Sequence, residues 1–219
     1  MYIQQEKKQK ICRGTKSINE EGVMSEILNV VYDLKSNDKK IRYKALDQIM
    51  GISRSNEINQ KKELLKILHH QAKSADWNER YISMYATSRF MWRSESFEDF
   101  KETYYSVLKL LEDEDGRVRI AAFNALEHFR GFFIAFAFGG LDHFDKNETV
   151  KLWLDSLILL WDKTKVLEEG KQQYFMMKCV DTLFRPDMEG YLNRGYYRKY
   201  MEIWDRLQKL EKEYNEGKH

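Results

Sequence analysis

The residues of this 219-residue chain that could hold a metal or move a proton are five histidines, two cysteines and dispersed carboxylates. The histidines are His69, His70, His128, His143 and His219, and none is followed by Glu. They recur at no fixed interval, so they do not supply a metal centre's ligand set. Cys12 and Cys179 lie far apart and match no metal spacing, which points to a reduced chain with no metal and no cofactor. Asp113-Glu114-Asp115-Gly116 resembles the middle of a calcium loop. Its first and twelfth ligand positions fall on Leu111 and Ala122, so the stretch reads as a turn. Gly139-Gly140 lacks the Lys-Ser/Thr pair of a phosphate loop, and no triad is recognisable. Asp47 and Asp181 are the carboxylates placed where they could act on a bound group, as shown below.

What recurs instead is a spaced pattern. DKKIRYKALDQI from Asp38, DWNERYISMYAT from Asp76 and DGRVRIAAFNAL from Asp115 each carry Arg four positions on, at Arg42, Arg80 and Arg119. The Asp-to-Asp steps are 38 and 39 residues, a period that belongs to stacked helical hairpins. An Asp at a helix start accepts from free N–H groups of the first turn and opposes the positive helix end. Asp76 with Glu79 makes the strongest such start, and each Arg is expected to reach a neighbouring repeat's Asp. Before each Asp lies an outer helix, at about 20–35, 57–73 and 97–112. In the third, Phe97, Phe100, Tyr104, Val107, Leu108 and Leu111 keep helical spacing, and Ser96 with Asp99 resembles a capping box.

An Asp in the inter-helix turn followed by Ile41-Arg42 or Val118-Arg119 resembles the HEAT-repeat family; Glu79-Arg80 departs at the apolar position. The resemblance covers about 38–130. It implies an all-α fold, a right-handed α-α superhelix of about four HEAT-like helical hairpins plus a C-terminal capping helix. After 130 the period slips. Glu169 takes the Asp position 54 residues after Asp115, and Gln173 replaces the Arg. An insertion at about 131–146 accounts for the excess. A long outer helix then carries Val150, Trp153, Leu154, Leu157 and Trp161 inward, and a last helix at about 196–214 closes the stack. Residues 1–19 read as a basic tail or irregular helix, and 20–219 as one solenoid domain. The run Phe132, Phe133, Ile134, Phe136 and Phe138 has two readings, a buried extension of the third inner helix or an exposed lip for a partner.

A helical wheel from each Asp puts the positions at offsets 3, 7, 11 and 14 in the core. The opposite side lines the concave face of a HEAT-like stack. The first repeat places Tyr43, Asp47 and Arg54 there, and the second Tyr81, Tyr85, Arg89 and Trp92. The third places Ile120, Asn124 and His128, and the fourth Tyr174, Lys178, Asp181 and Arg185. Formal charge is sorted the same way, with −7 over the four outer segments and +6 over the four inner ones. Tyr and Arg are favoured at interface hot spots, and aromatics with interleaved cations also suit unstacked bases.

Enzymes exist among HEAT-like proteins. The resemblance to those that remove alkylated DNA bases implies a Trp with Asp one turn later. Here the residues four after Trp77, Trp92, Trp153, Trp161 and Trp204 are Tyr81, Ser96, Leu157, Lys165 and Gln208. The expected function is therefore a non-enzymatic scaffold that holds a protein or peptide in a basic, Tyr-rich groove. The alternative is a nucleic-acid-binding protein, with Asp47 or Asp181 as the carboxylate of a base-repair reaction. Net charge is only +2, so any preference for anions must be local. The longest apolar run, Phe132 to Phe138, is far short of the roughly 20 residues of a membrane span. With no leader-like segment at the start, the expectation is a cytoplasmic protein without a membrane partner.

Overall fold

A computed structural model describes residues 20–90, 96–137, 144–168, 170–184 and 194–215. These residues form helices α1 (Glu20–Asp33), α2 (Lys39–Arg54), α3 (Ile58–Gln71), α4 (Trp77–Phe90), α5 (Phe97–Leu110), α6 (Gly116–Ala137), α7 (Lys146–Val166), α8 (Lys171–Leu183) and α9 (Arg194–Asn215). The fold is all-α. Successive helices pair as hairpins, α1 with α2, α3 with α4, α5 with α6 and α7 with α8. Hairpins stack so that α2, α4, α6 and α8 adjoin in one layer, while α1, α3 and α5 adjoin in the other. No helix among the described residues is long and apolar enough to cross a membrane.

The three-times-repeated Asp and Arg build the same turn each time. Asp38, Asp76 and Asp115 accept through Oδ1 from the N–H two residues on, at 2.8, 2.9 and 2.8 Å. The N–H of each Asp is in turn taken by the side chain two residues earlier, Ser36, Ser74 or Asp113. At the second of these starts Ser74 accepts from the Asp76 N–H, and Glu79 pairs with Lys35 at 2.6 Å. The Arg Nη1 donates back to two carbonyls of the same turn. Arg42 reaches Ser36 and Asn37, Arg80 reaches Ser74 and Ala75, and Arg119 reaches Asp113 and Glu114, all at 2.7–3.0 Å. Those carbonyls lie past the end of the preceding helix and lack helical partners, so the Arg serves as a C-terminal cap. Among the described residues Arg80 alone of the three also reaches the next hairpin, through Asp113 and Glu114 rather than the signature Asp115. In the fourth hairpin, Gln173 Nε2 donates to Leu167 O at 3.2 Å, the same six-residue reach. Gln can replace Arg there because one N–H suffices to satisfy an orphan carbonyl.

Ser96 caps α5 through the N–H of Asp99, as the capping-box reading expects, and Asp145 caps α7 through that of Glu148. The stretch 131–146 is not all inserted loop. Residues 131–137 continue α6, because Phe132 and Phe133 are buried against Phe100 and Tyr104. For these two rings burial is the correct reading; Phe138 lies outside the described residues. Ile41 departs from the wheel: at 39% exposed it lies outside the core, as expected on a first hairpin with no described hairpin before it, whereas the equivalent Val118 is fully buried.

Buried side chains fall into two clusters. One spans α1 to α4 and includes Ile27, Ile49, Leu64 and Leu68; the other runs from the end of α3 to α9. Helix α4 serves both, with Ile82 and Ala86 in the first and Met84 in the second. Helix α9 covers the end of the stack. Tyr200 and Ile203 are buried, Phe184 stacks on Tyr200 and Trp204, and Lys199 pairs with Asp162.

Cys179 is fully buried on α8, and burial pushes its thiol up to about 12. The reactive form is the thiolate. In a Cys12→Ser background the native protein should therefore resist a thiol reagent at pH 8, and react once denatured. Rapid labelling of the native chain would contradict the burial.

Candidate functional site

The exposed face of the even-numbered helices carries the sequence-predicted lining. Tyr43 and Tyr174 are 54% and 51% exposed, and Ile120 is 59% exposed. Asp47, Arg54, Arg89, Asn124, Lys178 and Asp181 are exposed, while Tyr81, Tyr85 and His128 are half-buried. Trp92 and Arg185 lie outside the described residues. The tyrosines thus divide. Tyr43 and Tyr174 are free on the surface, whereas Tyr81 and Tyr85 have one side packed on the core.

Helical spacing arranges cations over rings. Tyr81 and Tyr85, one turn apart on α4, stack with centroids 6.3 Å apart and planes 4° from parallel. The guanidinium of Arg89, a further turn on, stands 6.0 Å from the centre of the Tyr85 ring. Lys39 stands 5.5 Å over Tyr43 on α2, and Lys178 stands 5.5 Å over Tyr174 on α8. Each cation and ring are four residues apart, which puts them on one helix face.

Neighbouring helices join these ladders into a surface. Tyr43 on α2 and Tyr81 and Tyr85 on α4 line one cleft of about 200 Å³, with Leu34, Lys39, Arg42, Leu46 and Ile82. Across α4 and α6, burial first and then the charge of Arg89 hold the His128 imidazole below its ordinary 6.5, against an opposite pull from Glu127. Between α6 and α8, Phe123 meets Phe175 with centroids 6.0 Å apart.

Lys39, Arg54, Arg89 and Lys178 make no ion pair among the described residues. The hairpin junctions differ. There Lys35 pairs with Glu79, Arg80 with Asp113, and Lys163 with Glu112. The carboxylates of the face, Asp47 and Asp181, are exposed. Among the described residues no group of three or more His, Cys, Asp or Glu could hold a metal ion. The sequence wheel located this face but missed Lys39 as a member of it. The signal was present, since Lys39 precedes Tyr43 by the same four residues that separate Tyr85 from Arg89.

No family model matches the sequence, and no curated protein matches it. Among solved structures, the chain is similar to the crystal structure of an engineered protein, with 16% identity and a TM-score of 0.40. The match covers 72% of this chain and spans 62% of that protein.

Proposed function

We propose that this chain is a HEAT-like binding scaffold, and that the even-helix face is a groove gripping an acidic segment of a partner protein. The observation that carries this reading is the set of cations without carboxylate partners among the described residues. Three of them, Lys39, Arg89 and Lys178, stand over tyrosine rings instead. A ring holds a cation only weakly at an exposed site, by about 0.5–1 kcal/mol. An incoming carboxylate gains a charge-assisted hydrogen bond without first breaking a salt bridge. The rings add rigid contact area with little side-chain entropy to lose, which favours a protein partner.

Selection from a random peptide library on the immobilised protein tests the reading. Asp- and Glu-rich sequences should be enriched, and Arg89→Glu should abolish their recovery. Enrichment without acidic bias would overturn it. So would tighter, steeply salt-dependent binding of single-stranded DNA, which belongs to a groove that tracks phosphates.

A further inference from the structure

The cleft between α2 and α4 combines apolar, aromatic and cationic groups on this face. Its floor is apolar, from the core residues Leu34, Leu46 and Ile82. Its walls are Tyr43, Tyr81 and Tyr85, and Lys39 and Arg42 line it too. At about 200 Å³ it falls below the roughly 300 Å³ at which drug-sized ligand pockets begin, and it suits one large side chain. Three tyrosines around a cavity can form a cage for a cation. Here the lining includes two cations and no carboxylate, which disfavours a positive occupant and favours a negative neighbour.

Comparison of the repeats sharpens this. Arg80 and Arg42 hold equivalent positions and cap equivalent carbonyls through Nη1. Arg80 also gives its Nε and Nη2 to the two oxygens of Asp113, at 2.6 and 2.9 Å. For Arg42 the residue equivalent to Asp113 is Ser74, and Arg42 makes no ion pair among the described residues. The bidentate edge filled in the second hairpin is therefore left without a carboxylate in the first. It belongs to a residue that lines the cleft.

Resting on the scaffold reading above, we infer that this cleft is the anchor site for an acidic peptide, taking one phenylalanine-sized side chain between Tyr43, Tyr81 and Tyr85 while an adjacent Asp or Glu engages Arg42 and Lys39. The fork of Arg42 fixes the carboxylate and the ring walls fix the side chain beside it.

Fluorescence anisotropy with four labelled probes tests it. They are a decapeptide of glutamates around one phenylalanine, the same with alanine for phenylalanine, a lysine version with phenylalanine, and a thymidine dodecamer. The variants are Arg42→Gln, Tyr43→Ala and Arg89→Ala. Gln173 already performs the carbonyl cap in the fourth hairpin, so Arg42→Gln should keep the turn and lose only the carboxylate fork. Tyr43 is more than half exposed, so its variant is a second, structurally mild probe, and a melting curve checks both. The expected result is binding of the glutamate–phenylalanine peptide, weakened about tenfold by alanine in the probe, by Arg42→Gln and by Tyr43→Ala. If Arg89→Ala abolishes binding while Arg42→Gln and Tyr43→Ala leave it unchanged, the cleft assignment fails and the wider groove reading stands. If neither glutamate peptide binds at about 1 mM, both readings fail. Binding of the dodecamer alone also overturns both.

Discussion

Phe100→Ala is expected to cost about 3–5 kcal/mol, because it empties the centre of a cluster of four further rings. Phe100 is fully buried, with ring centres of Phe132 at 4.2 Å, Phe129 at 5.2 Å, and Phe133 and Phe144 at 5.8 Å. Three of these rings sit on α6, so the variant reports on the anchoring of that helix's late turns. Urea unfolding should show the loss directly. A melting temperature lower by about 10 °C follows at the usual 2–4 °C per kcal/mol for a chain of this size. Phe132→Ala should cost nearly as much, and the two losses should not add, since the rings touch. An unchanged midpoint for Phe132→Ala would show that the 131–137 stretch is not core.

Arg80→Ala should be the second large loss, about 3 kcal/mol. Its side chain and that of Asp113 are 9% and 5% exposed, and removing Arg80 leaves the Asp113 charge buried with the Asp115 N–H as its remaining hydrogen bond. The same substitution also strips the caps from Ser74 and Ala75. A double-mutant cycle with Asp113→Ala isolates the pair, and additive losses would rule out direct coupling. The pair also sets an acid limit. Burial pushes the Asp113 carboxyl up, but the Arg80 guanidinium and the Asp115 N–H outweigh it and hold the group below its ordinary 3.8. A carboxyl depressed in the folded state contributes stability above its unfolded value and loses it as pH falls through the folded one. Stability should therefore drop below about pH 4, and Arg80→Ala should flatten that part of the profile.

Most of the helices were legible because their signals are local. Asp38, Asp76 and Asp115 start helices within one residue of their expected place, since a capping carboxylate acts on the next few N–H groups. The exposed face was legible for a related reason: a helical wheel fixes the angular position of Tyr43 or Asn124 once the core side is known. What the wheel cannot give is the neighbour. That Tyr81 and Tyr85 are half-buried while Tyr43 is free depends on how closely α4 sits to the helices beside it. The reach of Arg80 to Asp113 crosses 33 residues and needs two hairpins in register. The aromatic run after 130 carries no cap or breaker before Phe138, so only the packing of Phe132 and Phe133 on Phe100 decides where it goes. The candidate anchor cleft was invisible for the same reason, since its floor and walls come from two helices, α2 and α4, and the turn after α1.

The turn within each hairpin uses the same latch, an Arg or Gln closing on its own carbonyls, but no two described joints use the same lock. Lys35 with Glu79, Arg80 with Asp113 beside Arg117 over Trp77, and Lys163 with Glu112 each fit one pair of neighbours. The hairpins are alike as parts and distinct as a series. Swapping the second and third, or duplicating either, would preserve every fold within a unit and mismatch the charges between them. The chain is thus an ordered string with a keyed sequence of joints, and lengthening it by simple copying would demand new keys at each added seam.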